Sequence, residues 1–151
     1  MKAHCINTQS ALPIALGDVE RLVISFLSWK QIKCDEVSIH FVTKGEIAEL
    51  HDRFFDDPTP TDCISFPIDP PGDAKSGYTV LGEIFVCPEV AKEYAEKNGE
   101  DPLRETTLYI IHGLLHLLGY DDIEEHDKTI MRAQEKSALL YLEEKKEILH
   151  A

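Results

Sequence analysis

The segment from Leu108 to Leu118 is almost wholly apolar, yet it holds two histidines four residues apart, His112 and His116. Such a run predicts a buried helix, on which positions i and i+4 lie on the same face. Buried imidazoles need polar partners. Gly119 can end the helix in a left-handed conformation, and the turn that follows can bring Asp122 back toward the histidines. The sequence therefore predicts a metal site formed by His112, His116 and Asp122.

The spacing His-x3-His-x2-Gly-x2-Asp resembles the zinc pattern of the metzincin peptidases, with two departures. Gly113 stands where such enzymes carry the glutamate that acts as general base, so peptide hydrolysis lacks its usual base. Asp122 stands where a third histidine is expected, an exchange that zinc accepts because its bonds to oxygen and nitrogen are similar in length. His126 is the competing third ligand, although its acidic neighbours favour a solvated helix start. The remaining histidines lack such a grouping and are interpreted as ordinary strand, surface or tail residues: His4, His40, His51 and His150.

Composition limits the classes of protein that fit. The 151 residues, 43% of them hydrophobic, predict one globular domain spanning 1–151. No apolar run is long enough to span a bilayer and the N-terminal segment is a poor signal peptide, so we expect a cytoplasmic protein without a membrane partner. The cysteines are widely spread without a CxxC pair and are expected to be reduced, buried thiols: Cys5, Cys34, Cys63 and Cys87.

The acidic balance of the chain argues against a broad electrostatic grip on nucleic acid. The formal net charge is −13, and binding to a phosphate backbone relies on Lys and Arg. A local contact remains compatible with this charge, since a bound divalent cation changes the field at the site itself. We expect no DNA partner.

Hydrophobic periodicity predicts an α/β (α+β) fold in one domain: a small mixed sheet of about four strands packed with about five helices, in the order β-α-β-α-β-β-α-α-α. Asp18 is the expected cap of the first helix, and Gly82 predicts a bulge or a close backbone approach. The segment Pro67 to Ser76 is predicted to be a loop. The expected strands are His4 to Asn7, Val37 to Val42, Cys63 to Phe66 and Val80 to Cys87. The expected helices are Asp18 to Trp29, Glu46 to Phe55, Pro88 to Lys97, Pro102 to Leu118 and Ile123 to Ile148. The helix from Pro102 to Leu118 is zincin-like and carries the predicted histidine ligands.

Three sequence blocks carry a resemblance to a known family. They are Pro-Thr-Asp-Cys-Ile-Ser-Phe-Pro over 60–67, Leu-Gly-Glu-Ile-Phe-Val-Cys-Pro over 81–88, and His-Gly-x-Leu-His-Leu-x-Gly-Tyr-Asp over 112–121. In this order they resemble the YbeY family of metal-dependent endoribonucleases over nearly the whole chain. The resemblance implies a zinc-dependent, single-strand-specific endoribonuclease that acts in late-stage ribosome quality control and in maturation of the 3′ end of the small-subunit rRNA. The implied partners are rRNA and the small ribosomal subunit with its proteins.

The resemblance also assigns residues. Family members bind one zinc ion through three histidines, of which His112 and His116 match the first two, and Asp122 takes the third position. The family usually places an arginine where this chain has Phe55, and Arg53 is out of register. Phenylalanine cannot hold a phosphate or stabilise its charge.

We therefore expect a hydrolytic mechanism in which zinc keeps an open position for water. No residue is identified as the general base or acid. The candidates near the metal are Asp121 and Glu83, and those for substrate binding are Arg53, Thr61 and Ser65. Thr61 has an alternative role in hydrogen-bonding the turn that enters a strand, and Asp121 has one in supporting the ligands.

Two other functions remain open from the sequence. A zincin-type peptidase shares the ligand spacing but needs a base at position 113. A noncatalytic ribosome-assembly factor with a structural metal would be compatible with Phe55 and with an acidic surface that docks on basic proteins. Structural zinc sites usually have four protein ligands, and the sequence supplies three, which favours an open site.

Overall fold

A computed structural model of the chain describes residues 1–71 and 77–151. Over these residues the strands and helices follow one another in the predicted order, which confirms the predicted fold class. The strands are β1 (Lys2–Asn7), β2 (Glu36–Phe41), β3 (Cys63–Pro67) and β4 (Val80–Val86), and the helices are α1 (Leu16–Trp29), α2 (Lys44–Phe55), α3 (Pro88–Asn98), α4 (Pro102–Leu117) and α5 (Glu125–Glu144).

The four described strands form one mixed sheet in the order β1-β2-β4-β3. β1, β2 and β4 run parallel, and β3 pairs antiparallel with β4 at the edge, from Cys63 opposite Val86 to Pro67 opposite Gly82. Parallel neighbours require crossover connections, which α1 and α2 supply. This topology places β3 and β4 side by side under α4.

The core lies between the sheet and the helices that pack on it. α1 buries one stripe, formed by Val19, Leu22, Val23, Phe26 and Leu27. α4 is buried on most sides because it packs on β3 and β4 and also contacts α3 and α5. A helix with so many neighbours explains why its sequence is apolar almost all round. The two histidines near its C-terminal end are thus held by a rigid element.

Gly82 produces both features that its position in β4 predicted. The register between β2 and β4 shifts between Glu36 and Ser38, which marks a bulge opposite Gly82. Gly82 has φ +154°, and a Cβ there would lie 2.5 Å from the carbonyl oxygen of Phe66. Only glycine allows the β3 backbone to approach this closely.

The first helix begins earlier than the sequence suggested, and the expected cap was wrong. The N-cap is Ala15, and no side chain caps this end. Asp18 lies inside the first turn instead, where its charge faces the positive end of the helix and pairs with Arg21.

The last helix is shorter than expected at both ends. Ile123 belongs to the preceding loop and is 75% exposed. After Glu144 the chain turns through Lys146, whose φ is +58°. This turn lets Leu149 return to the core, where its N–H donates to Thr107 Oγ1 over 3.2 Å.

Other predicted elements agree with the structure to within two residues at each end. The predicted loop Pro67 to Ser76 lies partly outside the described residues. All four cysteines are free; Cys87 is buried, and Cys5, Cys34 and Cys63 are partly buried. Within the described ranges, the helices are all too short or too polar to cross a bilayer.

Candidate metal centre

Three side chains converge at the end of α4. Nε2 of His112 and Nε2 of His116 lie 3.0 Å apart, with their rings nearly perpendicular. Asp122 Oδ2 lies 3.4 Å from His112 Nε2 and 3.6 Å from His116 Nε2. These three residues form the potential metal-binding group found among the described residues.

The donor set fits one divalent ion. Four ligands placed tetrahedrally around zinc at ordinary bond lengths lie about 3.3–3.5 Å from one another, close to the separations of these three donors. The side chains are 18%, 27% and 33% exposed for His112, His116 and Asp122, so they border a cavity instead of being enclosed. Two imidazoles and one carboxylate are ligands that zinc accepts, with one position left for a water or a substrate.

The turn after α4 brings the third candidate ligand, Asp122, into place. Gly119 has φ +101°; its N–H donates to the His116 carbonyl, and the Tyr120 N–H donates to the Leu115 carbonyl. These two bonds form a Schellman motif, in which glycine adopts the left-handed conformation at little cost. The chain reverses here and returns Asp122 to the histidines, as the sequence predicted.

Two further contacts hold this turn. Lys30 Nζ donates to Tyr120 Oη over 3.0 Å and lies 4.9 Å from the centre of its ring. Asp121 Oδ1 accepts the Asp122 N–H at 2.7 Å. Asp121 thus supports the backbone of Asp122, in addition to lining the first cavity described below.

Glu135 on α5 orients the first histidine. Its Oε2 lies 2.8 Å from His112 Nδ1, and Arg132 donates to both of its oxygens at 2.8 and 3.2 Å. A carboxylate accepts hydrogen bonds, so Nδ1 of His112 carries a proton, and Nε2, which lies beside His116 and Asp122, is the atom that can bind an ion. A carboxylate partner of this kind accompanies metal-binding histidines and fixes their orientation.

This pair shifts the titration of both groups. Burial lowers the pKa of His112, but the hydrogen bond and the charge of Glu135 outweigh it and raise that pKa above its ordinary value. Burial raises the pKa of Glu135, but the hydrogen bonds from His112 and Arg132 outweigh it and hold that pKa below its ordinary value. Each group therefore stabilises the charged form of the other.

Gly113 has a packing role. A Cβ at this position would lie 2.6 Å from Ile84 Cγ2 and 2.9 Å from Cys63 Sγ. The Gly113 carbonyl accepts a hydrogen bond from Ser65 Oγ at 3.3 Å. The helix can approach β3 and β4 this closely only without a side chain, so the glutamate of the peptidase pattern has no room here.

The candidate metal ligands border two cavities. The first, of about 390 Å³, has mostly neutral walls: His51, Phe55, Thr61, Cys63, Ile64, Ser65, Pro67, His112, His116, Asp121, Asp122 and Ile123. The second, of about 570 Å³, shares His112 and Asp122 and also contains Asp62, Glu105, Arg132 and Glu135. Burial raises the pKa of Glu105. Among the described wall residues, the second cavity has four carboxylates, and its one arginine, Arg132, is already paired with Glu135, whereas the first cavity has two carboxylates. An anionic substrate is therefore better accommodated in the first.

Some of the residues that the sequence suggested for substrate binding or for a place near the metal line a cavity, and others do not. Thr61 and Ser65 line the first cavity. Arg53 is exposed and pairs with Glu49 over 3.2 Å, away from the cavity walls, so a role in substrate binding has no geometric support. Glu83 pairs with His40 over 3.1 Å and is likewise absent from the walls of both cavities.

Two histidines outside the predicted ligand pair differ in their distance from the site. His126 is exposed at the start of α5 and is not part of the ligand group. His51 on α2 was interpreted as an ordinary residue, yet it lines the first cavity, and its Nδ1 lies 2.7 Å from the carbonyl oxygen of Thr59. The sequence could have indicated this position, because His51 lies four residues before Phe55 and residues so spaced share one face of a helix.

The chain is similar to known proteins over most of its length. The family model described as "Endoribonuclease YbeY" matches residues 5–143. A protein of that name from Protochlamydia amoebophila is 49% identical, over 90% of this chain and 89% of its own length. Another, from Chlamydia pneumoniae, is 40% identical over 100% of this chain and 97% of its own length.

A solved structure agrees with the fold. The solution structure of a Thermotoga maritima protein superposes with a TM-score of 0.63 at 27% identity, covering 91% of this chain and 87% of that one. The family match, the relatives and this shared fold lead to one conclusion. The chain belongs to the YbeY endoribonuclease family.

Proposed function

We propose that this protein is a metal-dependent endoribonuclease that hydrolyses phosphodiester bonds of single-stranded RNA with one zinc ion. The observation that carries the proposal is the convergence of His112, His116 and Asp122 on one cavity, within a chain of the YbeY family. By analogy with that family, the substrate is the 3′ end of the small-subunit rRNA, and the setting is late-stage ribosome quality control in the cytoplasm. Its partner is then the small ribosomal subunit.

The residues around the ion have separate roles. His112, His116 and Asp122 hold the ion, Glu135 keeps the proton on His112 Nδ1, and Asp121 fixes the backbone of Asp122. When bound, a divalent ion supplies positive charge to a phosphoryl oxygen and lowers the pKa of a coordinated water.

The substrate enters from the first cavity. Its walls carry the hydroxyl groups of Thr61 and Ser65, and each donates a hydrogen bond within the protein. Thr61 Oγ1 donates to Asp62 Oδ1 over 3.3 Å, and Ser65 Oγ donates to the Gly113 carbonyl oxygen. Both hydroxyls retain acceptor capacity toward a ribose hydroxyl. The second cavity, with its carboxylates, disfavours the phosphate backbone.

The packing of Gly113 weighs against a peptidase. The general base of such enzymes occupies this position, and here Ile84 and Cys63 fill the space that a side chain needs. A noncatalytic role with a structural metal predicts a bound ion without RNA cleavage.

Paired histidine variants test the proposal. His116→Ala is expected to abolish cleavage of single-stranded ribosomal RNA, whereas His126→Ala, which changes an exposed histidine outside the ligand group, is expected to cleave like the wild type. Both proteins are purified side by side, so that a contaminating ribonuclease appears equally in each. Equal cleavage by wild type and His116→Ala contradicts the proposal.

A further inference from the structure

Two exposed apolar side chains line the cavity of the metal ligands. Phe55, the last residue of α2, is 56% exposed, and Ile123 in the loop before α5 is 75% exposed. They come from separate parts of the chain, yet both border the cavity that contains His112 and His116. Large apolar side chains at the wall of a polar site are suited to a flat, partly apolar ligand.

Comparison with the neighbouring Phe54 shows that exposure alone does not explain the position of Phe55 at the cavity wall. Phe54 is 55% exposed but lies edge-on against Phe66, with 4.9 Å between ring centres, and it does not line the cavity. Phe55 instead lies beside the ring of His51, with 5.8 Å between ring centres, and both of these rings border the cavity. Two adjacent phenylalanines of equal exposure thus have different surroundings.

Charge excludes a grip on the phosphate backbone at this wall. No lysine or arginine is found among the described residues that line the cavity. The nearest arginine along α2, Arg53, pairs with Glu49. In a chain with a net charge of −13, RNA affinity here must come largely from contacts with bases. Aromatic side chains provide such contacts, because every base offers a face on which to stack.

We propose that Phe55, together with Ile123, forms a stacking slot for one unpaired nucleobase of the RNA, beside the metal ligands. This inference rests on the proposed function and specifies how the substrate is held. The cavity of about 390 Å³ is large enough for a base and its sugar, since small-ligand sites range from about 300 to 1,000 Å³. A base in a duplex already stacks on its neighbours, so the slot selects unpaired RNA of any sequence.

Fluorescence binding tests the slot. The probe is a short single-stranded RNA with one 2-aminopurine, whose emission falls on stacking, and with phosphorothioate linkages that slow cleavage. It is titrated with the zinc-loaded protein. Phe55→Ala is expected to weaken binding about 5- to 100-fold and to remove the quenching, whereas Phe55→Trp keeps both. The matched control Phe54→Ala is expected to bind like the wild type.

Salt dependence gives a second measure. Phe55→Arg replaces a stacking contact with a phosphate contact, so the slope of log K against log salt is expected to steepen by about 0.7. Annealing the probe to its complement is expected to remove the difference between wild type and Phe55→Ala.

Three binding results would each contradict the proposed stacking slot. They are wild-type affinity in Phe55→Ala, an equal loss in Phe54→Ala, or an undiminished Phe55 effect with the duplex probe. If one of these occurs while His116→Ala still abolishes cleavage, the slot fails and the proposed function stands. Binding that depends on Phe55 without any cleavage supports the slot and contradicts the proposed function.

Discussion

Glu135 Oε2 accepts a hydrogen bond from His112 Nδ1 over 2.8 Å, which joins the last helix to the candidate metal centre. Glu135 is 4% exposed and is further held by Arg132. The orientation of His112 therefore depends on a residue 23 positions away in sequence, on α5. α4 carries His112, and α5 fixes the orientation of its ring.

Replacing this carboxylate is expected to weaken metal binding. Glu135→Gln keeps the size of the side chain but removes its charge, so His112 is less firmly fixed and less basic. Loss of such a partner typically costs 10- to 100-fold in metal affinity. Zinc affinity is measured by competition with a chromogenic chelator at pH 8. Glu125→Gln, an exposed change on the same helix, is the control, and equal affinities in all three proteins would contradict a positioning role.

The same pair makes the stability of the metal-free protein depend on pH. The pKa of His112 is raised above its ordinary 6.5, so its contribution is complete below pH 6.5 and is lost as the pH rises through the raised value. The pKa of Glu135 is lowered below its ordinary 4.5, so its contribution is complete above pH 4.5 and is lost as the pH falls through the lowered value. Both contributions are present together between pH 4.5 and 6.5.

Glu135→Gln is therefore expected to lower the free energy of unfolding more at a pH within this window than at pH 8. Urea unfolding in the presence of a chelator measures this difference. A difference between wild type and variant that is constant with pH, or larger at pH 8, is the contrary result.

Gly113 is expected to tolerate no side chain. Gly113→Ala places a methyl group against Ile84 and Cys63, and overpacking of this kind costs about 1–3 kcal/mol of unfolding free energy. Gly17→Ala is the matched control in another helix, since its Cβ would meet Arg21 at an ordinary 3.9 Å. Chemical denaturation compares the two. A larger loss in Gly17→Ala would show that the contact at Gly113 is not the cause.

The third ligand is expected to accept exchange for histidine. Asp122→His restores the histidine of the related zinc pattern, and zinc binds either atom type at a similar distance. The variant should keep about one zinc per chain after dialysis, whereas Asp122→Ala should lose it. Elemental analysis of the dialysed proteins distinguishes the two. Retention of zinc by Asp122→Ala would show that Asp122 is not a ligand.

The residues that could be predicted are those linked by local geometry. His112 and His116 share a helix face, and Gly119 allows the turn that returns Asp122, so all three lie close in sequence. Gly82 was identified because glycine inside a strand marks a bulge or a close approach, and both are present.

The residues that could not be predicted depend on contacts between distant segments. Glu135 reaches the site only because α5 packs against α4. Glu83 looked suitable from its motif, but in the sheet its side chain pairs with His40 on the neighbouring strand. Arg53 is close to Phe55 in sequence, yet the helical rotation of two residues turns it toward Glu49 and away from the cavity.

A metal titration of RNA cleavage tests the central proposal most directly. Zinc is added stepwise to chelator-treated protein, and the cleavage rate of single-stranded ribosomal RNA is measured at each ratio of zinc to protein, with His116→Ala treated identically. Cleavage that rises to a plateau at about one zinc per chain, and is absent throughout in His116→Ala, is the expected result. Cleavage that is independent of added zinc, or binding of one zinc per chain with no cleavage at any ratio, would contradict the assignment of a metal-dependent endoribonuclease.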